Sequence, residues 1–478
     1  MNQNLRKNLK NLFAAYGLTF LIIGLAYLAY SRLLSPGEFG LYSIALMIAN
    51  IGTMILDGGI KNAIIKHEEE LTDVQRGSLL SWMILISILL ILGLFGLKNF
   101  IAHFLPTTKK DYAFLALFGS AYLIAYPWVS IPTALMERKL LYRRLAWLEC
   151  ASNSVERGVP ALIMLTMHQG LYSFIWGAFI GRLFRAISVN YFYRVRFRRP
   201  DMANIRTVAP LLSEGFWLQA SLGTSFIRDN LHILILGPFF GKVWVGYYSW
   251  ALQLSAVASQ AFVQISTRVS FSMMAQAETF NQRWDTCIDQ IKLLSKLTTP
   301  VLILLLAVMP DVDTMFFHGN WAPAIKLLPF LFIRMLFGSS MTPLGALLPI
   351  EKGGFIFFKS LALWTALEVA VAAIFIYNMG PIGLAISYSI TVIAGILIIL
   401  RHFKKESLMA FREIAAAIFA SLNIALAALF GLLLVGFRAY GGMLKENHFF
   451  ILGISLLGLL ICYLSESEIR GLIGMRYE

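Results

Sequence analysis

The 478-residue chain is 58% hydrophobic and only 14% charged, with a mean hydropathy of +0.71. Soluble globules carry about a quarter of charged residues, so this composition excludes one and reads as a polytopic membrane protein. The net charge of +14 does not read as a nucleic-acid site, because the basic residues sit in short loops between apolar runs, where they orient a chain toward anionic lipid.

At about twenty apolar residues per crossing, the hydrophobic runs predict an all-α chain of about fourteen transmembrane helices. The first basic stretch, Met1 to Lys10, precedes an apolar run longer than a signal-peptide core, which predicts an uncleaved first span. Six spans are expected near 11–34, 38–60, 77–104, 111–136, 145–167 and 171–193. Six more follow near 208–236, 240–266, 293–317, 322–350, 360–378 and 381–401, and a last pair near 413–436 and 447–464. Counted on alternate sides of this arrangement, 27 of the 40 Lys and Arg fall on one side and 8 on the other, the remaining 5 lying inside spans. Cytoplasmic loops carry the excess, so both termini are expected in the cytoplasm.

A heptad divides the chain. Gly40-Leu41-Tyr42-Ser43-Ile44-Ala45-Leu46 returns 206 residues later as Gly246-Tyr247-Tyr248-Ser249-Trp250-Ala251-Leu252, each time opening a span after a short connection. That spacing is far too long for a solenoid. It fits a transporter of two similar halves with the working site between them. Six spans separate the copies, so the halves form a parallel repeat. The basic break Arg194 to Asp201 is the natural boundary. The expected organisation is an N-terminal lobe over 1–200, a C-terminal lobe over 201–404, and an additional helix pair with a tail over 405–478. Pro132 and Pro343 near the ends of the fourth and tenth spans form a weaker echo, read as matched bends used in gating.

Extramembrane segments stay within about twenty residues, too short for a catalytic domain, and no phosphate-cradling Gly-Lys-Ser/Thr motif is present. The sequence therefore reads as no enzyme, with no cofactor. Cys150, Cys287 and Cys462 have no paired spacing, which supports neither a disulfide framework nor a metal site.

The chemistry lies in charges within spans, where each costs about 2.5–3.5 kcal/mol on insertion scales and so marks a cavity or a partner. Arg157, Arg182, Arg185, Arg228 and Arg334 are such residues, accompanied by Glu156, Asp229, Glu214, Glu368 and Asp57. Neighbours on a helix point about 100° apart, so Glu156 with Arg157 and Arg228 with Asp229 are not expected to pair within their own helices. Arg182 and Arg185, three apart, share a face and would present two guanidinium groups to phosphate, whose oxygens they match bidentately. The competing reading is snorkelling to the interface or pairing with Glu156 and Glu214, and it is favoured for Arg185. Arg182, Arg228 and Arg334 are expected to line one cavity. Glu368 reads equally as an ion- or proton-coupling carboxylate and as a structural partner of an arginine. His232 reads as a packing residue. Trp244, Tyr247, Tyr248 and Trp250 read as an interfacial belt before a sugar-stacking surface.

Three stretches carry a family resemblance. They are Arg32 to Tyr42 followed by Asp57-Gly58-Gly59-Ile60, then Ala134 to Ala146, and Arg228-Asp229-Asn230 through Gly241 to Tyr248. On these the chain resembles the lipid-linked oligosaccharide flippases, the polysaccharide-transporter branch of the multidrug/oligosaccharidyl-lipid/polysaccharide exporter superfamily. The resemblance implies two six-helix lobes around a V-shaped cationic cavity and alternating access. It implies a cargo of oligosaccharide on undecaprenyl pyrophosphate, moved across the bacterial cytoplasmic membrane for O-antigen or exopolysaccharide synthesis. The partners it implies are membrane lipids, H+ or Na+ as coupling ion, and polymerase or export machinery. The alternatives are a cation-coupled multidrug exporter, disfavoured by arginines where cationic drugs would need acids, and a membrane glycan polymerase or ligase, disfavoured by the short loops.

Overall fold

The computed structural model describes residues 21–61, 71–96, 108–139, 141–193, 220–403 and 407–419, with single residues at 19, 64, 427 and 431, and no strand occurs among them. The chain divides into two compact units, Met1–Ser249 and Trp250–Glu478. This packing boundary lies inside the second heptad, whereas the boundary expected at 200 follows the repeat.

In the first unit α1 (Leu21–Leu33) leads into α2 (Pro36–Asp57), α3 (Asp73–Gly96), α4 (Lys109–Ala125), α5 (Pro127–Arg138), α6 (Tyr142–Met167) and α7 (Ser173–Phe192). A helical stretch over 220–229 then precedes α8 (Leu231–Gln276), which turns sharply at Gly241 (φ 80°) and passes into the second unit. There follow α9 (Phe280–Phe316), the single turn α10 (Ala322–Ile325), α11 (Leu328–Lys352), α12 (Gly354–Met379), α13 (Pro381–Leu400) and α14 (Ser407–Phe419). In the first unit α6 pairs with α7, while α4 lies against α2, α3 and α7. In the second, α12 pairs with α13, while α11 lies against α9 and α13.

The chain is a multi-pass membrane protein. Among the described residues six helices are long and apolar enough to cross a bilayer, and α4 with α5 makes a seventh if counted as one bent span. The two helices α6 and α7 fall outside that group because both carry charges in mid-helix. On α3 the exposed residues Leu85, Ile88, Leu89, Leu92 and Phe95 recur at helical spacing, an apolar stripe suited to acyl chains. The expected fourteenth span lies outside the described residues, as does most of the thirteenth.

Three boundaries differ from the sequence expectation, each for a local reason. First, α2 begins at Pro36, because Ser35 caps it: Glu38 N–H donates to Ser35 Oγ at 3.3 Å and Ser35 N–H to Glu38 Oε2 at 2.9 Å, with proline at the first helical position. Second, α9 begins well ahead of 293, where Thr279 and Gln282 form a capping box and the first turns are amphipathic. Third, the fourth span bends by 44° between α4 and α5, at Pro127, whereas Pro132 sits inside α5. Proline at 127 has no N–H for the Leu123 carbonyl; that oxygen instead accepts from Tyr126 N–H at 3.2 Å and from Ser87 Oγ of α3 at 2.9 Å. Pro343 likewise lies inside α11.

Candidate functional site

The first unit gathers its charges where α6 and α7 cross. Gly177-Ala178-Phe179-Ile180-Gly181 places two glycines one turn apart on α7, and small residues at that spacing let helix backbones meet in a membrane. A Cβ at Gly181 would lie 2.6 Å from the Glu156 Cβ, and one at Gly177 would lie 2.2 Å from Pro160 Cγ. No other residue fits without displacing α6. The close approach delivers the next residue, Arg182, to Glu156: Arg182 Nε lies 3.3 Å from Glu156 Oε2, with side chains 16% and 12% exposed. Tyr122 on α4 completes the cluster, donating its hydroxyl to Glu156 while its ring lies 4.0 Å under the Arg182 guanidinium. A desolvated cation over a ring contributes about 2 kcal/mol, so the arginine is held both by charge and by stacking.

Arg157 turns away from Glu156, as its position on the helix requires. It donates to the Tyr42 hydroxyl, and Tyr30 donates to the Arg157 carbonyl oxygen. The Tyr42 ring stacks on Phe174 at 3.9 Å. The tyrosine at the third position of the first heptad is therefore a ligand of a buried arginine. Its counterpart Tyr248, fully buried, stacks on His232 at 5.3 Å, and His232 is hydrogen-bonded to Ser249 at 3.1 Å. His232 is the packing residue expected. Trp250 is stacked on Trp321 at 4.9 Å in the second unit, which makes it a core residue and removes it from any interfacial belt.

Of the two readings of Arg182 and Arg185, joint presentation to phosphate or pairing with acids, the described contacts are pairs, Arg182 with Glu156 and Arg185 with an acid the sequence reading did not name. Arg185 Nη2 lies 3.3 Å from Glu149 Oε1, two turns before Glu156 on α6, so each arginine has its own carboxylate. Glu149 was missed by the sequence reading, although its seven-residue spacing from Glu156 puts both acids on one face. Arg228 and Asp229 also depart from expectation: both Arg228 Nε and Nη2 lie 3.4 Å from Asp229 Oδ1. The helical stretch ends there in a turn at Asn230, which lets the acid swing back toward its neighbour. At 3.4 Å the contact is weak. Asp57, the last residue of α2, accepts from Ser130 at 3.1 Å, and Glu214 lies outside the described residues.

The second unit repeats the ingredients. Arg334 on α11 lies 4.0 Å over the ring of Tyr388 on α13. Glu368 on α12, 1% exposed, accepts from Thr391 at 3.4 Å, and Thr391 lies one turn beyond Tyr388 on the same face. Sequence reasoning identified the arginine and the acid but neither ring, because a buried tyrosine in an apolar helix looks like packing until its neighbour is known.

One further contact ties the heptads together. Gly40 on α2 and Gly246 on α8 face each other at backbone distance: a Cβ on Gly40 would lie 1.8 Å from the Lys242 carbonyl oxygen, and one on Gly246 would lie 1.8 Å from the Pro36 carbonyl oxygen. Beside them Lys242 Nζ pairs with Asp111 Oδ2 at 2.8 Å, joining the start of α4 to the same place.

Residues 29–326 match the family described as polysaccharide biosynthesis protein. The chain is 25% identical over 377 residues to the lipopolysaccharide biosynthesis protein WzxC of Escherichia coli K12, covering 77% of this chain and 75% of that one. It is 24% identical over 361 residues to the succinoglycan biosynthesis transport protein ExoT of Rhizobium meliloti, covering 75% and 69%. Among solved structures, lipid II flippase MurJ in an inward closed conformation superposes with a TM-score of 0.71 at 15% identity, covering 97% of this chain and 99% of that one. A multidrug resistance MATE transporter of the MOP superfamily superposes at 0.57 with 12% identity, covering 83% and 95%. These two structures share the fold.

Proposed function

The chain belongs to the polysaccharide biosynthesis protein family, and from that premise we propose that it is a flippase for a lipid-linked oligosaccharide. The single observation that carries this is the family match across residues 29–326, with relatives named for lipopolysaccharide synthesis and succinoglycan transport over most of their length. The cargo is an oligosaccharide on undecaprenyl pyrophosphate and the membrane is the bacterial cytoplasmic membrane, with both termini inside. No bond is made or broken. The cost of the step is electrostatic: a pyrophosphate must enter a medium where uncompensated charge is worth several kcal/mol.

In this reading Arg182, Arg228 and Arg334 supply the compensating charge, Arg157 and Arg185 set the field around them, and Glu368 is the carboxylate for H+ or Na+ coupling. Guanidinium suits the role because it stays protonated and takes two phosphate oxygens in one plane. Polymerase or export machinery would receive the cargo on the far side. The test is deletion in the host. Loss of surface polysaccharide with accumulation of the lipid-linked unit on the cytoplasmic side supports the flippase. Unchanged polysaccharide with altered sensitivity to cationic drugs overturns it in favour of a multidrug exporter.

A further inference from the structure

The closest cation–ring contacts among the described residues are equal in length and opposite in chain order. Arg182 lies 4.0 Å over Tyr122, and Arg334 lies 4.0 Å over Tyr388. In the first unit the ring comes from α4 and the cation from α7; in the second the cation comes from α11 and the ring from α13. A carboxylate stands on the intervening helix in both, Glu156 on α6 and Glu368 on α12.

These positions correspond across the repeat. Arg182 and Tyr388 are 206 residues apart, the spacing of the two heptads, and Glu156 and Glu368 are 212 apart. The hairpin between the acid and the last helix is shorter by four residues in the second unit, Met379 to Pro381 against Met167 to Ser173, and Tyr388 lies two residues nearer the start of its helix than Arg182 does, which together make the change of six. Tyr122 precedes Pro132 by ten residues and Arg334 precedes Pro343 by nine. Each lobe thus keeps one arginine, one tyrosine and one acid, with the arginine and tyrosine exchanged between its fourth and sixth spans.

Exchange without loss is informative. A residue serving only to fill space would be free to become any apolar side chain, whereas here the pair survives with its contact distance. Arginine stacked flat on a ring has lost its rotamer freedom already, and its in-plane edge is left for an acceptor. In the first unit Glu156 holds that place as an ion-pair partner, its Oε2 lying 3.3 Å from Arg182 Nε. A phosphate oxygen has the same charge and the same geometry as the carboxylate it would replace.

Resting on the reading that the cargo is a lipid-linked pyrophosphate, we propose that the two clusters are copies of one anion-exchange site. In the first unit the arginine rests on Glu156 when the site is empty and passes to a phosphate oxygen when the cargo enters. Glu156 is the resident competitor, and Tyr122 and Tyr388 are positioning residues that hold each guanidinium in the plane it needs. The site takes the pyrophosphate class of ligand and ignores the sugar.

The test uses the purified full-length chain and inorganic pyrophosphate, with binding followed by calorimetry. Glu156→Gln removes the competing charge, and pyrophosphate should bind about tenfold tighter, the equivalent of one charge-assisted hydrogen bond. Arg182→Tyr alone should bind about tenfold weaker on the same basis. The double change Tyr122→Arg with Arg182→Tyr rebuilds in the first unit the order found in the second, and should restore binding to about the parent level, since the same contacts are remade. Binding by Glu156→Gln that is unchanged or weaker, in a protein melting like the parent, overturns the proposal. So does an exchanged pair no better than Arg182→Tyr, which decides the matter if Glu156→Gln does not fold. Absence of binding by both parent and Glu156→Gln overturns it as well. Because binding is read without transport, the predicted pattern in a protein that exports no glycan would leave this site standing and remove the flippase.

Discussion

Gly40 and Gly246, the leading residues of the two heptads, pack directly on each other's helix, each lacking room for a single methyl group. The repeat is therefore more than an echo of duplication: its two copies meet. In the proposed orientation these helix ends lie on the side away from the cytoplasm. Gly40→Ala or Gly246→Ala forces a Cβ to within 1.8 Å of a backbone oxygen, which no rotamer relieves. Overpacking of this kind costs about 1–3 kcal/mol or more. The expected result is a lower melting temperature and loss of surface polymer in a complementation assay.

The Lys242–Asp111 pair beside this contact is half open to its surroundings, with side chains 37% and 11% exposed. Such a pair contributes about 1 kcal/mol or less. Asp111→Asn and Lys242→Gln should each lower stability slightly, and the two together no more than either alone. A double-mutant cycle on thermal unfolding measures the coupling; additive losses would show that the ion pair contributes nothing.

Ser87 closes the turn that Pro127 opens. Ser87→Ala removes one of two donors to the Leu123 carbonyl, leaving the Tyr126 N–H at 3.2 Å, and should cost about 0.5–1.5 kcal/mol, the net contribution of one hydrogen bond. Restoring a backbone donor with Pro127→Ala in the Ser87→Ala background should recover part of that loss. Unfolding of the two variants side by side gives the answer, since a bend maintained by packing alone would leave Ser87→Ala at the parent stability.

Tyr42→Phe removes the hydroxyl that receives the Arg157 guanidinium and leaves the aromatic packing on Phe174 in place. A buried charged donor without its acceptor costs about 1–3 kcal/mol. Tyr30→Phe, which releases only a backbone carbonyl, should cost less. Melting temperatures in one detergent rank the two.

His402 lies just past the end of α13, where its Nε2 is hydrogen-bonded to Ser360 Oγ at 3.0 Å. Burial first, then the charges of Arg401, Lys352 and Lys359, hold its pKa below the ordinary 6.5. The unfolded chain then binds a proton more readily than the folded one, so the stability this residue contributes is whole above pH 6.5 and is lost as pH falls through 6.5 toward the lowered value. His402→Gln should flatten the decline in melting temperature between neutral and mildly acidic pH. A variant with the parent slope would show that other groups carry it.

The hydrophobic runs, the loop charges and the heptad made the helical order legible, because each depends on local composition. Partners across helices were less so. Arg182 was visible as a buried charge, but its neighbours Glu156 and Tyr122 lie 26 and 60 residues away and meet it only because Gly177 and Gly181 let α7 approach α6. The Gly-x-x-x-Gly spacing was a readable signal for that crossing. Glu149 was similarly within reach as the acid seven residues before Glu156, yet nothing local links it to Arg185. The bend at Pro127 could not be separated from Pro132 by sequence, since one of the two donors to the Leu123 carbonyl, Ser87, comes from another helix. Arg228 and Asp229 misled in the opposite sense, because helix geometry forbids their pairing only while the helix continues.

The central claim, movement of a lipid-linked glycan, is tested most directly with the purified chain in unilamellar vesicles carrying an undecaprenyl-pyrophosphate oligosaccharide. An external glycosidase reaches only the outer-leaflet share in protein-free vesicles. With the protein present the account predicts that the inner-leaflet share becomes digestible as well, in vesicles that still exclude the enzyme, and that Arg182→Tyr slows this. Digestion that stops at the outer-leaflet share, with correctly folded protein in the bilayer, would contradict it.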